Sequence, residues 1–497
     1  MRQRLAVLVP LLGGCSFIYN PDHINRNIDA QVADVEIVTD VDPTMLQIDD
    51  VFPHLVYEGA GTGHAAPAVF VITGKQIAAD ATVTVAPDAA DAATVHVIDS
   101  KAAVDGNFIA FTLQVDDDAA KNDGVERMVT LTVSQSGGTI MRSLDPAKLV
   151  VHHLESLTAT TAAPLLARYS FVDITGPVAF AATNDVGPVQ IHSIGSISIT
   201  GKVSADASGQ TAGPGGCSGG AAGASGESSN ALTGCSCSGH GLAAAGGLLN
   251  DVGGGGAGFA SPGTAGSGPG GGGGGPYGTR EIDAFSNNCA SGGGGGTKGT
   301  VTLGAPSAAG GGGGILELSA GGDVTLGAGA TANGGSGLNS GGGNGGGGAG
   351  GVVLIRSGAT LAITGTVSAT KGGGGTGGAT GGDGSIGRIR ADAAKGTLPA
   401  GSYNAPVFVD PPATTTTQHT MLQVRGFAGD QTAQLTVYDA QGMVVGSPVA
   451  IAFGQSDTLM QQVSLKAGYN RVCAIVKNGN LSSNPEAGNC SEIAFLP

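Results

Sequence analysis

A tract from about Gly195 to Asp392 is dominated by glycine and carries most of the chain's 92 glycines. Glycine loses more backbone entropy on folding than any other residue, about 0.5–1 kcal/mol relative to alanine in a regular element. A fold built from such sequence needs a compensating repeat. Three windows supply one: Ile191–Asp206 (IHSIGSISITGKVSAD), Leu318–Asn333 (LSAGGDVTLGAGATAN) and Ile355–Thr370 (IRSGATLAITGTVSAT), which align without a gap.

Each window spaces its apolar residues by two: Ile197 and Ile199 with Val203, Val324 and Leu326 with Ala330, Leu361 and Ile363 with Val367. A period of two is that of a strand with one face turned inward. A short strand, a bend and a second short strand make one rung of a solenoid, and stacked rungs bury a narrow core of small aliphatics. Aromatic residues make up only 4 % of the chain and Trp is absent, which suits such a core. Partial rungs are read at Val301–Leu303, Ile315–Leu318, Val352–Ile355 and Ile386–Ile389. The runs Gly253–Gly256, Gly270–Gly275, Gly292–Gly296, Gly310–Gly314 and Gly345–Gly348 are read as loops thrown out from one side. The predicted class is all-β, with a β-helix domain over residues 168–395.

Alternating patterns flank the tract. Residues 44–160 hold six candidate strands, among them Ala68–Thr73, Phe108–Val115 and Met128–Val133, separated by turns such as Asp105-Gly106. Such spacing predicts a β-sandwich. Residues 403–497 hold six more, from Val407–Val409 to Arg471–Val476, behind a hinge read at Pro411-Pro412 and Thr414–Thr417.

The N-terminus carries an address. Arg2 and Arg4 precede the apolar run Leu5–Leu12, too short for a membrane span, and then Leu12-Gly13-Gly14-Cys15. This resembles the lipobox of bacterial lipoproteins, in which the cysteine is lipidated and becomes the first mature residue. An ordinary secretory signal with an incidental cysteine is the competing reading. Small residues before Cys15 and the polar Asn20-Pro21-Asp22 after it favour lipidation. The resemblance implies a signal peptide over residues 1–15 and a membrane anchor on Cys15. With Ser16 following, it also implies sorting to the outer membrane, at its extracellular or periplasmic face. Residues 16–43 read as a polar tether.

Removing Cys15 from seven cysteines leaves Cys217, Cys235, Cys237, Cys289, Cys473 and Cys490. An even set in an exported chain reads as disulfides. Cys473 and Cys490 are expected to pair, and the other four allow three connectivities. A thiolate and imidazole metal site at Cys235-Ser236-Cys237-Ser238-Gly239-His240 is the weaker alternative.

Three further resemblances place the modules. The stretch GAGTGHAAPAVFVITGKQIAADATVTVAP resembles the start of immunoglobulin-like TIG domains. Leu465 to Val472 resembles the corner before a late strand of immunoglobulin-like and fibronectin-III-like sandwiches, where a tyrosine packs the turn. The polyglycine-interrupted rungs, with GGVVLIR and GSIGRIRAD, resemble glycine-rich surface lipoproteins of myxobacteria. That likeness implies a right-handed parallel β-helix flanked by two immunoglobulin-like sandwiches.

The remaining signals are bland. The formal net charge is −16 with no basic stripe, which disfavours nucleic acid. GxGxxG matches carry no information in such composition, because no helix follows them. Asp116-Asp117-Asp118 and Asp383 read as turn acids, and His152-His153 as a strand end. The tract acids Asp206, Glu227, Asp251, Glu281, Asp283, Glu317, Asp323, Asp383 and Asp392 are scattered, so no catalytic, metal or cofactor residue is assigned. The expectation is a structural or adhesive envelope protein, with surface polysaccharide or another envelope protein as partner. The alternatives are a carbohydrate-active β-helix enzyme and a polyproline-II-type glycine bundle that binds a surface directly.

Overall fold

The computed structural model describes residues 45–57, 68–87, 95–116, 126–145, 148–152, 167–169, 171–182, 187–226, 238–243, 250–282, 285, 288–300, 304–426, 429–476 and 489–497. Among them every named element is a strand, so the class is all-β. Cys15, the tether and Val301–Leu303 lie outside the described residues.

The N-terminal strands are β1 (Gln47–Phe52), β2 (Leu55–Tyr57), β3 (Ala68–Lys75), β4 (Thr82–Pro87), β5 (Val95–Ala102), β6 (Phe108–Val115), β7 (Glu126–Gln135), β8 (Ile140–Ser143) and β9 (Val150–His152). One sheet runs β1-β3-β6-β5, and a second runs β2-β9-β7-β4 with β8 on β7. Alternate residues of both sheets, including Phe70, Ile72, Phe111, Leu131 and Val133, share one core. Phe70 and Phe111 face each other across β3 and β6 and stack at 5.4 Å.

The central strands are β10 (Ala167–Tyr169), β11 (Val172–Ile174), β12 (Val178–Ala179), β13 (Val189–Ser193), β14 (Ile197–Ile199), β15 (Val203–Ser204), β16 (Ile315–Ala320), β17 (Val324–Leu326), β18 (Gly329–Thr331), β19 (Val352–Ile363), β20 (Thr366–Ser368) and β21 (Arg388–Gly396). All their ladder pairings are parallel and form curled sheets. The three sequence windows stack in the register of their alignment. Ile191, Ile197 and Val203 pair with Leu318, Val324 and Ala330, partners 127 residues apart. Those pair in turn with Ile355, Leu361 and Val367, 37 residues apart. The inward residues make one aliphatic core from Tyr169 to Ala393. An earlier coil, β10 to β12, lies below the first window and was not among the predicted rungs. Each window ends on a polar tie: Asp206 Oδ1 accepts Asn333 N–H at 2.7 Å, and Asn333 Oδ1 accepts Thr370 N–H at 2.8 Å.

The glycine runs are not loops. Gly253–Gly256, Gly292–Gly296, Gly310–Gly314 and Gly345–Gly348 form a second buried body, with Gly270–Gly275 partly exposed at its edge, and three of its segments run straight into β16, β19 and β21. Between residues 344 and 351 successive N–H groups turn to three neighbours in rotation. Asn344, Gly347 and Gly350 donate to the carbonyls of Ala379, Gly382 and Ser385; Gly346 and Ala349 to Gly294 and Ser291; Gly348 and Gly351 to Gly335 and Ala332. Cys217, Gly220 and Gly223 likewise donate to Ala290, Gly293 and Gly296. An extended chain with three residues per turn and no internal hydrogen bonds is polyproline II. Glycine is required here by space rather than conformation, since none of Gly345–Gly348 has a positive φ. A Cβ built on Gly345, Gly348 or Gly351 would meet the carbonyl oxygen of Ala308, Gly311 or Gly314 at 2.1, 2.0 and 2.0 Å. On another face, one on Gly347 would meet Gly372 O at 2.0 Å.

The C-terminal strands are β22 (Val407–Phe408), β23 (Thr414–Thr415), β24 (His419–Arg425), β25 (Gly429–Asp439), β26 (Val449–Gly454), β27 (Thr458–Ser464), β28 (Gly468–Val476) and β29 (Cys490–Phe495). They form two sheets, β22-β24-β27 and β23-β29-β28-β25-β26, around one core. Two expectations are corrected. The predicted hinge at Thr414–Thr417 is in part a strand, because Thr414 and Thr415 pair with Ala494 and Phe495. The corner before β28 is held by buried Asn470, which bonds the N–H and carbonyl of Lys466 and the carbonyl of Gly468. Tyr469 instead packs outward. It joins Phe108, Val69, Val71, Ala494 and Leu496 in a small core where the two end modules meet, and Val104 N–H donates to Pro497 O.

Replacing Gly348 by alanine is expected to cost about 3 kcal/mol or more, because backbone must move. Gly275 has open space where its Cβ would stand. Gly275→Ala is expected to be neutral or to stabilise by up to about 1 kcal/mol. Thermal or denaturant melts of the two variants check the pair.

Candidate functional site

The strongest gathering of ionisable side chains lies on the outer face of the ladder β13-β16-β19-β21. Because Ile191, Leu318, Ile355 and Ala391 point into the core, their neighbours on either side point out. Register then stacks Gln190, Glu317, Leu354 and Arg390 in one column and His192, Ser319, Arg356 and Asp392 in the next. Four of these are charged and almost sealed: Glu317 is 3 % exposed, Arg356 4 %, Arg390 3 % and Asp392 1 %.

Each charge has partners. Glu317 Oε2 accepts from Gln190 Nε2 at 2.7 Å and lies 3.2 Å from His192 Nε2. Arg356 bridges the two acids, with Nη1 3.5 Å from Glu317 Oε1 and Nε 3.9 Å from Asp392 Oδ2. Asp392 Oδ2 also receives Arg390 Nε at 2.9 Å and Nη2 at 2.8 Å, and its Oδ1 accepts Ala405 N–H at 2.8 Å. Along the sequence these acids are scattered. Parallel stacking corrects that, since it brings Glu317 and Asp392 together through Arg356.

A segment of the glycine body is fastened beside this cluster. Arg390 Nη1 donates to Glu281 O at 2.5 Å, and Arg388 Nη2 to Tyr277 O at 2.7 Å. The guanidinium carbons of Arg280 and Arg390 lie 5.1 and 5.9 Å from the Tyr403 ring centre, and that of Arg388 lies 5.1 Å from the Phe259 ring centre. Tyr277 Oη donates to Cys289 O. Burial pushes the phenols of Tyr277 and Tyr403 up.

Burial alone would push the Glu317 carboxyl up. The hydrogen bond and charge of His192, the Arg356 guanidinium and the Gln190 amide outweigh it and hold the group at about 2. A general acid at neutral pH needs the opposite shift. Glu317 stays a carboxylate, and two guanidiniums balance the two acids. The arrangement can therefore clamp coils and the neighbouring segment together.

The other sequence candidates fall apart from this cluster. Cys473 and Cys490 face each other across β28 and β29 and are disulfide-bonded. Cys217 and Cys289 are also disulfide-bonded and are buried in the glycine body. Cys235, Cys237, Glu227, Asp283, Asp117, Asp118 and His153 lie outside the described residues. Asp116 lies 3.3 Å from His96. Asp383 accepts from Lys371 at 2.7 Å and from Gly374 N–H at 3.0 Å, and Lys371 leads in lowering its carboxyl. Asp251 and Asp323 accept Gly299 and Thr360 N–H. Among the described residues no three His, Cys, Asp or Glu side chains stand together to hold a metal ion. No known protein family, curated protein or solved structure matches the chain.

Glu317 should make stability depend on acid. Its folded value lies near 2 and its ordinary value at 4.5, so its contribution is complete above about pH 4.5 and disappears as pH falls toward 2. Denaturant melts between pH 2 and 6 should show this limb. Glu317→Gln should be less stable at neutral pH and lose most of that slope.

Proposed function

We propose that the chain is a lipid-anchored protein of the cell envelope with a structural or adhesive role. In this reading Cys15 carries the lipid and residues 16–43 tether the folded part. A glycine-rich parallel β-helix and two immunoglobulin-like modules are presented outward. Surface polysaccharide or another envelope protein is the partner class.

The observation that carries the role is how the central tract spends its polar groups. Its backbone N–H groups bond other segments, and its acids cap turns or balance buried arginines. A body of that kind holds its shape, and contact at its surface is the function it suits. Disulfide-bonded Cys217, Cys289, Cys473 and Cys490 accord with an oxidising compartment.

A second reading is direct binding of a surface by the glycine body. The three-residue rotation of its hydrogen bonds favours it, since that is the repeat of packed polyproline-II segments.

Wild type and Cys15→Ala should be compared in a two-membrane bacterium, by fractionation and by attachment of whole cells. The wild type is expected with the outer membrane and should support attachment, whereas the variant should be soluble and fail to. A variant that still fractionates with membranes would refute the anchor. Release of sugar fragments by the wild type would refute the adhesive role.

A further inference from the structure

The tract contains two bodies with different sources of stability. The strand ladders bury an aliphatic core that includes Ile191, Ile197, Leu316, Leu318, Val324 and Ile355, with no cysteine in it. The glycine body buries backbone against backbone. Its own apolar cluster is small, and Cys217 and Cys289 are two of its nine buried members, with Phe259, Ile282 and Val352 among the rest. A glycine interior contributes no apolar side-chain area to burial, while its residues lose the most conformational entropy. Backbone hydrogen bonds add little net stability, because folding exchanges them for hydrogen bonds to water. Such a body needs its unfolded state constrained.

All four tract cysteines fall within residues 205–314, the long stretch between β15 and β16. Closing that stretch is the largest loop cost among the coils, and cross-links inside it remove most from the unfolded ensemble. The disulfide-bonded positions sit where segments join. Cys217 N–H donates to Ala290 O, and Gly312 N–H donates to Cys217 O. The shorter segments 343–351 and 380–387 then bond onto this stretch, through Gly346 to Gly294 and Gly382 to Gly254.

We infer that the glycine body is an oxidation-dependent unit. It closes only when Cys217 and Cys289 are in disulfides, while the ladders and both end modules fold without them. Each closure joins two thiols as a disulfide. The two protons and two electrons pass to a disulfide-bearing oxidant of the compartment, which leaves as a dithiol. A reduced chain therefore keeps its glycine stretch open, and oxidation completes the second body. The inference concerns folding of the purified chain and stands whether or not the proposed address holds.

The test uses the full chain after removal of residues 1–14, as wild type, as Cys217→Ser/Cys289→Ser and as Cys473→Ser/Cys490→Ser. Proteinase K cleavage is mapped by mass spectrometry. In the first variant, cleavage within 205–226, 250–282, 288–300, 304–314, 332–351 and 369–387 is expected to rise roughly 30- to 1000-fold. Strand segments 315–331 and 352–368 should stay resistant. The second variant should leave the glycine body as resistant as in the wild type. Resistance of that body in the first variant would overturn the inference, because its closure would not need the cysteines. Joint loss of the body and the ladders would overturn it too, because the two would be one unit. Reduction and reoxidation of the wild type, read by the same map, gives an independent second measurement. Cleavage that opens and closes with the thiol state is the expected result, and an unchanged map in fully reduced protein contradicts it.

Discussion

The contact on which this structure depends is a carbonyl oxygen resting where a Cβ would otherwise stand. At Gly348 that distance is 2.0 Å, to the oxygen of Gly311, and similar values recur on every side of the segment. Only a chain without side chains can bring backbones so close on all faces. Once they are that close, the N–H groups of Asn344 and of Gly346 to Gly351 reach carbonyls of neighbouring segments and Gly345 N–H reaches the Ser307 hydroxyl, so the polar backbone of the run is satisfied without strands or helices. The glycine tract is thus a way of building an interior from main chain alone.

That interior and the strand ladders are two halves of the same coils. A coil passes through two or three strands over the aliphatic core and returns through glycine segments, as from Ile315 to Gly351 and from Val352 to Gly387. The ladders therefore set the spacing that the glycine segments inherit. The offset of 37 residues pairs Leu318 with Ile355 in the ladder, and the same offset sets Gly345 and Gly348 against Ala308 and Gly311. The buried cluster of Glu317, Arg356, Asp392 and Arg390, drawn from two adjacent columns, lies on the outer face of the ladder. Arg388 and Arg390 extend it to the backbone of Tyr277 and Glu281, and so tie the two halves.

Much of the ladder was legible in the sequence, and the reason is physical. Inward residues at a period of two leave a visible mark, so the three windows aligned in the register they adopt. Coil β10 to β12 was missed because it does not align with the first window without a gap: Ala167 stands opposite Ile191, but Val172 and Val178 stand opposite Ile197 and Val203 at an offset one residue longer. The glycine runs were read as loops, with a polyproline-II-type bundle only as an alternative, because a repeat of three leaves no mark when every position is glycine. The signal that could have revealed it is scale: a tract so poor in turn-forming charge, with cysteines inside it, is unlike an array of solvated loops. Glu317 and Asp392 looked unrelated at a distance of many residues. Only the parallel register places them on either side of Arg356. The corner at Asn470 and the meeting of Tyr469 with Phe108 depend on long-range packing that no local pattern encodes.

The central claim is that the polyglycine runs are closed, hydrogen-bonded structure. Native-state hydrogen exchange of the amides from Asn344 to Gly351 tests it most directly, because all of them donate within the protein. The account predicts slow exchange across the whole run, comparable to that of β16 and β19. Exchange at the rate of an unstructured peptide would contradict it and return the glycine runs to loops.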